Sequence, residues 1–175
     1  MDKKAMESLK AGDGVLISGV IYAMRDAAHR RVIEALEKGQ EPPFKLKDQV
    51  IYYMGPSPTR PGNIIGAAGP TTATRMDKYT PELLRRGVRI IIGKGNRSGE
   101  VKQAIINNKA LYLAAIGGAG ALLAQKIKKA EVVAYEDLGA EAILRLEVNE
   151  FPAVIALDSS GGDIFAMGKK LYSEE

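Results

Sequence analysis

The sequence VRIIIGKGNRS, residues 88–98, decides the fold class. Its apolar, isoleucine-rich start predicts a buried β-strand over Val88–Ile92. Glycines then interrupt the chain, and Ser98 is a favourable N-cap for a helix over Gly99–Asn108. A second apolar run predicts another strand over Leu111–Ile116. The order strand, helix, strand is typical of two parallel strands joined by a crossover helix.

The same alternation extends toward the amino terminus. Apolar runs predict strands over Gly14–Ile21 and Val50–Met54. Between them, apolar residues at helical spacing predict a helix over Arg25–Lys38, which Gly39 ends. The segment Thr72–Arg86 is predicted to be helical in parts. The first two-thirds of the chain therefore indicate an α/β arrangement that is partly parallel.

The last third of the chain has a different pattern. After a helix predicted over Ala119–Lys128, short alternating runs predict antiparallel strands. These strands cover Glu131–Tyr135, Ile143–Val148, Phe151–Leu157 and Asp163–Met167, the last two as a hairpin around Ser159–Gly162. We therefore expect an α/β fold with a mixed sheet, forming a single domain over residues 1–175.

The composition excludes several kinds of site. The absence of cysteine from all 175 residues excludes disulfides, a thiol nucleophile and an iron–sulfur cluster ligated by this chain. One histidine, His29, argues against a histidine-rich metal site. A net charge of +4 lacks the dense basic footprint of a nucleic-acid binder. Neither a signal peptide nor a membrane span is apparent, so we expect a cytoplasmic location.

Three cations follow predicted strands at places where helices begin. Arg25 comes after the first strand, Arg75 follows the sequence GPTTAT, and Lys94 lies within GKGNRS. A cation near a helix N-terminus opposes the helix dipole, at a cost of about 0.3–1 kcal/mol. In α/β sheets, strand carboxyl ends and helix N-termini share one rim, where anions bind. The pattern predicts a site for a small anion with more than one carboxylate.

Each cation also has an ordinary structural explanation, which the sequence leaves open. These are an ion pair of Arg25 with Asp26 or Glu34, an ion pair of Arg75 with Asp77, and simple solvation of Lys94. His29 lies one turn beyond Arg25, and we expect it to pack against other elements rather than to catalyse. The glycine-rich sequences GKGNRSG and IGGAGA lack the spacing of a phosphate-binding loop.

The hydroxyls of Thr71, Thr72 and Thr74 can act as helix N-caps, but one cap needs only one of them. Another threonine near the anion site could bind substrate or move a proton. Threonine is a poor base and needs a basic partner for that role. The chain offers no obvious partner, since its carboxylates form no paired motif.

Four segments of the sequence carry a resemblance to a known family. They are Gly19–Ile21, Arg25–His29, the block GPTTATRMD at Gly69–Asp77, and Gly93–Gly95. Together they resemble the β subunit of iron–sulfur hydro-lyases, the class I fumarate hydratases and L(+)-tartrate dehydratases. The similarity covers nearly the whole chain, and GPTTATRMD is its most specific part. Position 74 is threonine here, whereas we expect glycine or another small residue there just as often in this family.

The resemblance implies a swivelling β/β/α three-layer domain. It also implies a separate α subunit that carries a [4Fe–4S] cluster, no metal bound by this chain, and self-association in an α/β heteromer. By the same resemblance, Arg25, Arg75 and Lys94 would hold substrate carboxylates and stabilise negative charge at C3. Thr71 would take part in proton transfer at C3, together with an acidic residue of the α chain.

We therefore expect the β subunit of a class I fumarate hydratase, which adds water reversibly to fumarate to give (S)-malate. The alternative is an L(+)-tartrate dehydratase, which forms oxaloacetate by the same elimination. The named residues bind carboxylates that both substrates share, so they do not discriminate between them. A non-catalytic module that binds a small dicarboxylate is a further alternative.

Overall fold

Strands and helices alternate through most of the computed structural model, which describes residues 3–172. The strands are β1 (Gly14–Ala23), β2 (Val50–Tyr52), β3 (Ile90–Gly93), β4 (Leu111–Ala114), β5 (Ile127–Ala134) and β6 (Ile143–Leu157). The helices are α1 (Lys3–Ser8), α2 (Asp26–Glu37), α3 (Thr80–Arg85), α4 (Gly99–Asn107), α5 (Gly120–Gln125) and α6 (Ile164–Tyr172). Short 3₁₀-helices cover Ala73–Met76 and Glu136–Glu141. Between residues 3 and 172, no helix has both the length and the apolarity to cross a membrane.

Strands β1, β2, β3 and β4 are consecutive parallel neighbours, so their carboxyl ends meet at one edge of the sheet. Strand β6 runs antiparallel to both β1 and β4. Strand β5 pairs antiparallel with the first half of β6. The sheet is therefore mixed, as predicted, and β6 closes it back onto β1.

The parallel strands separate two apolar cores. Because side chains alternate along a strand, Ile51 and Ile91 pack in one core with apolar residues of α2, α3 and α4. Their neighbours Tyr52 and Ile90 pack in the other core with residues of β6. Helices, parallel strands and antiparallel strands thus form successive layers, and the predicted α/β class with β/β/α layering is confirmed.

The helix predicted over Ala119–Lys128 is too long. Helix α5 ends at Gln125, and β5 begins at Ile127, which is buried opposite Val148 of β6. Strand pairing therefore overrides the helical pattern there. The two strands predicted on either side of Glu150 are one continuous strand, β6, although Glu150 has a left-handed φ of 52°.

The strand predicted over Asp163–Met167 is wrong, because this segment leads into α6. The Asp163 carboxylate accepts hydrogen bonds from the N–H groups of Phe165 (2.8 Å) and Ala166 (3.1 Å). It thereby caps the helix at its first turn. A backbone bridge joins Leu157 to Asp163, but the chain turns into the helix directly after it.

Candidate functional site

The carboxyl ends of the parallel strands bring the predicted site residues together. Arg25 follows β1 as the N-cap of α2, and Lys94 directly follows β3. Thr71 lies between them: its N–H donates to the Tyr53 carbonyl beyond β2 (2.8 Å), and its carbonyl accepts from the Lys94 N–H (3.3 Å). Arg75 follows within the 3₁₀-helix Ala73–Met76. All four predicted residues therefore lie at one rim.

One carboxylate, that of Asp26, contacts two of the cations. Arg75 Nε donates to Asp26 Oδ1 at 2.9 Å. Arg25 Nε lies 3.7 Å from Asp26 Oδ2, and Arg25 Nη2 lies 3.5 Å from Glu141 Oε1. The Arg25–Asp26 ion pair considered from the sequence is thus present, whereas Arg75 pairs with Asp26 instead of Asp77.

The two guanidinium groups differ in exposure. Arg25 Nε and Asp26 Oδ2 are buried atoms without a hydrogen-bond partner among residues 3–172. The two atoms face each other as an ion pair at 3.7 Å, and neither is open to solvent. The Arg75 side chain is 50% exposed, and Nε is the atom that donates to Asp26. Guanidinium groups of this kind bind carboxylates through paired hydrogen bonds.

Two glycines show where the cationic side chains lie along the rim, and one of them, Gly55, leaves room for Arg25. A Cβ atom at Gly55, just after β2, would lie 2.6 Å from Arg25 Cδ and 2.6 Å from the Ala140 carbonyl oxygen. No larger residue fits there without moving Arg25. A Cβ atom at Gly117, beyond β4, would lie 3.5 Å from Lys94 Cδ. Arg25 therefore lies across the end of β2, and Lys94 extends toward the end of β4.

The remaining polar groups of the rim are open. Lys94 is exposed, and its ammonium group has no ion-pair partner in the described part of the chain. Thr71 is half-buried, and its hydroxyl makes no hydrogen bond to another described residue. Thr72 occupies the N-cap position of the 3₁₀-helix without a side-chain capping bond. The capping considered for Thr72 is therefore not formed, and the Thr71 hydroxyl is free to contact a ligand.

Beneath the rim lies a buried polar layer that the sequence did not predict. Arg97 has a fully buried side chain. Its Nε donates to Asp77 Oδ1 and its Nη2 to Thr80 Oγ1, both at 2.7 Å. Thr80 donates in turn to the Met76 carbonyl at 2.9 Å. The Tyr53 hydroxyl, 2.7 Å from Thr80 Oγ1, is then the donor of that contact.

Aromatic rings surround the Arg97 guanidinium. Its central carbon lies 5.4 Å from the Tyr53 ring centroid and 4.8 Å from that of Tyr112, within the range of cation–π attraction. Burial acts to lower the pKa of Arg97, but its neighbours, the Asp77 carboxylate among them, outweigh it and the pKa is raised overall. Burial also raises the pKa of Tyr53. At neutral pH the layer therefore contains a charged arginine beside neutral tyrosines.

His29 is fully buried next to the rim. Its ring packs edge-on against Tyr53 and stacks with Tyr79, at centroid distances of 5.1 and 5.9 Å. Its Nδ1 donates to the Arg25 carbonyl at 2.7 Å, while Nε2 has no partner among the described residues. Burial lowers the pKa of His29 to about 4. The residue is therefore neutral at pH 7, and the packing role expected for it is the one observed.

The residues present do not fit a bound iron–sulfur cluster. Such clusters are held by cysteine thiolates, and the sequence contains no cysteine. Within residues 3–172, no group of three or more histidine, aspartate or glutamate side chains is placed to hold a metal ion. The chemistry of this rim is that of cations and a hydroxyl.

Known proteins with similar sequences fall into two groups by length. The chain is 46% identical over 151 residues to the anaerobic class I fumarate hydratase of Escherichia coli, covering 85% of this chain and 28% of that protein. It is 44% identical over 151 residues to the aerobic class I fumarate hydratase of Salmonella typhimurium, covering 85% and 26%. It is 36% identical over 181 residues to a putative L(+)-tartrate dehydratase subunit beta of Methanocaldococcus jannaschii, covering 99% and 93%.

The chain thus spans about a quarter of the length of these fumarate hydratases, but nearly the whole of the tartrate dehydratase subunit. A family model described as Fumarase C-terminus matches residues 1–168. The match includes all four rim residues, Arg25, Thr71, Arg75 and Lys94. The sequence resemblance is therefore confirmed: this chain belongs to the Fumarase C-terminus family.

Proposed function

We propose that this chain is the β subunit of a hydro-lyase that hydrates fumarate reversibly to (S)-malate. It would supply the part of the active site that binds the substrate carboxylates. The observation that carries this proposal is the placement of Arg25, Arg75 and Lys94 at one rim together with Thr71, with both arginines in contact with Asp26. Cations from separate strand ends suit a ligand with a negative charge at each end.

The two arginines are proposed to bind carboxylates. Asp26 orients both guanidinium groups before substrate arrives, through its contacts of 2.9 Å to Arg75 and 3.7 Å to Arg25. The Arg25–Asp26 and Arg75–Asp26 pairs lie at a partly exposed rim, where ion pairs contribute only about 0–1 kcal/mol. Exchanging part of that contact for a substrate carboxylate is therefore inexpensive, and charge-assisted hydrogen bonds replace it.

Lys94 and Thr71 are proposed to act at the reacting carbon. Removing the C3 proton of malate places negative charge on C3 and its carboxylate, and a nearby ammonium group stabilises that charge. The Lys94 ammonium is open for this contact. The Thr71 hydroxyl would hold or relay the proton, but threonine needs a basic partner. We assign that partner to another chain, because His29 is fully buried and packs against Tyr53 and Tyr79.

The proposed partner is an α subunit that holds a [4Fe–4S] cluster on its own cysteines. Support comes from the absence of cysteine here and from the beta-subunit name of the Methanocaldococcus jannaschii relative. A cluster iron with an open position would supply a Lewis acid for the substrate hydroxyl. The assembly proposed is an α/β heteromer in which this chain also contacts a second copy of itself.

L(+)-tartrate dehydration is the second candidate. One observation favours it: the relative matched over 93% of its own length is named a tartrate dehydratase subunit. Tartrate and malate differ by one hydroxyl, and both carry two carboxylates. The rim residues therefore fit either substrate.

The test is anaerobic reconstitution of this chain with a cysteine-bearing α chain. Fumarate, (S)-malate and both tartrate enantiomers are offered to the pair and to each chain alone. We expect turnover of fumarate and malate by the pair only. Turnover by this chain alone, free of metal, would contradict the proposal. Activity confined to tartrate would favour the second candidate, and dicarboxylate binding without turnover would indicate a non-catalytic module.

A further inference from the structure

We propose that Arg97 is a positioning residue: its buried guanidinium locks the turn after β3 to the 3₁₀-helix Ala73–Met76 and so holds Lys94 and Arg75 in place at the rim. The turn is the segment Lys94–Ser98. The effect on catalysis that we infer rests on the proposed function. The effect on the local structure does not.

The first step of the argument is connectivity. Arg97 follows Lys94 by three residues, and its partner Asp77 follows Arg75 by two. The Arg97–Asp77 contact therefore joins the two chain segments that carry these cations. Asp77 strengthens the joint, because its Oδ2 accepts from the Ser98 N–H at 2.7 Å. One carboxylate thus contacts both the side chain and the backbone of the turn.

The second step is the small number of other hydrogen bonds that place Lys94 and the turn. Its N–H donates to the Thr71 carbonyl at 3.3 Å, and its carbonyl accepts from the Ala73 N–H at 2.9 Å. The next residue of the turn, Gly95, accepts from the Tyr112 hydroxyl at 2.8 Å. The two backbone hydrogen bonds of Lys94 form only if residues 71–73 and the turn keep their register. The Arg97–Asp77 ion pair fixes this register.

The third step is the directionality of the lock. Arg97 uses Nε for Asp77 and Nη2 for Thr80, two fixed directions of a planar group. Thr80 lies in α3 and is also bonded to Tyr53, whose carbonyl receives the Thr71 N–H. An apolar side chain at position 97 could fill the same space, but it would leave the Asp77 carboxylate buried without its cation. An apolar side chain also could not donate hydrogen bonds to Asp77 and Thr80 in these two fixed directions.

The experiment compares Arg97→Met with Arg89→Met as a matched control. Arg89 also pairs with an aspartate, Asp48, at 3.3 Å and donates to the Asn108 carbonyl, but it precedes β3 at the opposite end of the strand. Hydrogen exchange of the full chain is followed by mass spectrometry. At labelling times too short for exchange through global unfolding, we expect amides of residues 71–77 and 94–98 to exchange at least tenfold faster in Arg97→Met than in wild type. Amides of β4 and β6 are expected to stay protected in both proteins at these times. Arg89→Met is expected to leave residues 71–77 and 94–98 unchanged.

Kinetics of the reconstituted α/β pair form the second readout, at a temperature where each variant is folded. We expect Arg97→Met to lower kcat/KM for fumarate at least tenfold, Arg97→Lys to restore part of it, and Arg89→Met to remain within twofold of wild type. Thr80→Val removes the hydroxyl group that accepts a hydrogen bond from Arg97 Nη2. This variant is used if Arg97→Met does not fold. It is expected to lower kcat/KM about threefold or more.

The outcomes separate the two proposals. Wild-type exchange at residues 71–77 and 94–98 in Arg97→Met would overturn the positioning role. So would faster exchange spread evenly over the chain with unchanged kcat/KM, which is the result of a purely stabilising residue. An inactive wild-type pair would contradict the proposed function, while the local exchange result would still decide whether Arg97 fixes the rim.

Discussion

Arg97 and Arg75 each pair with an aspartate, but the two pairs lie in different surroundings. The Arg97 side chain is fully buried against Asp77, Thr80 and two tyrosine rings. The Arg75 side chain is half-exposed, and Asp26 is its partner. Both ion pairs are short, at 2.7 and 2.9 Å. Distance alone would make them equivalent, and burial makes them different.

The difference in burial determines what each ion pair is suited to do. A buried charge that loses its partner stays uncompensated in a medium of low polarity, so the Arg97–Asp77 pair is costly to open. Water replaces the partner of an exposed charge, so the Arg75–Asp26 pair opens readily. The buried pair is therefore suited to fixing structure, and the exposed pair to exchanging its partner for a ligand.

The largest expected effect is on folding stability. Arg97→Met leaves Asp77 buried without its cation and is expected to lower the free energy of unfolding by about 3–5 kcal/mol. Arg75→Met, the same change at the rim, is expected to cost less than about 1 kcal/mol. Urea unfolding of both variants and wild type measures the difference. Equal losses would show that burial does not distinguish the two pairs.

The next effect is on catalysis. In the reconstituted pair, Arg75→Met is expected to lower kcat/KM for fumarate, because it removes a charge-assisted contact to a carboxylate. The expected loss of transition-state stabilisation is about 2–5 kcal/mol. Arg85→Met is the control, since Arg85 is an exposed arginine paired only locally, with Glu82 at i−3. Steady-state kinetics are measured for both. An Arg75→Met enzyme as active as the control would remove Arg75 from the site.

The smallest effect concerns pH and His29, which joins the buried layer to the backbone of Arg25. Its folded pKa of about 4 lies below the ordinary 6.5 of the unfolded chain, so the unfolded state binds more protons between these values. The stability contributed by neutral His29 is thus complete above pH 6.5, falls with pH and is lost below about pH 4. The loss is about 3 kcal/mol, at about 1.4 kcal/mol per pKa unit.

The control for this prediction is His29→Gln, which does not titrate. Both proteins are unfolded in urea across pH 4–7, so that acidic groups common to both cancel in the comparison. We expect the wild type to lose more stability than the variant as the pH falls. Parallel profiles would show that His29 titrates normally and is not protected by burial.

The sequence predicts the rim well because the rim follows from local order. Arg25 and Lys94 come directly after apolar strands, and parallel strands must place such residues at one edge. Arg75 requires only that its segment return to the same edge. None of these placements depends on which side chain contacts which, and for that reason the sequence does not identify Asp26 as the partner of Arg75.

The buried layer escapes prediction because it depends on contacts between distant segments. Arg97 stands in a glycine-rich turn, where an arginine is normally solvated, and its burial is caused by Asp77, Tyr53 and Tyr112. The mistaken strand at Asp163–Met167 has a local cause instead. Asp163 is a helix N-cap residue, a signal that the alternating pattern obscures.

The neighbouring positions of β1, β2 and β3 give the rim a fixed scale of length. Strands in a sheet lie about 4.8 Å apart, so the ends that carry Arg25 and Lys94 are about 10 Å apart, with Thr71 between them. Backbone hydrogen bonds set this interval, and no side-chain substitution changes it. The sheet therefore fixes the distance between the backbone positions from which the cationic side chains reach a ligand. A preference for longer or shorter anions has to come from the reach of the side chains at its two ends.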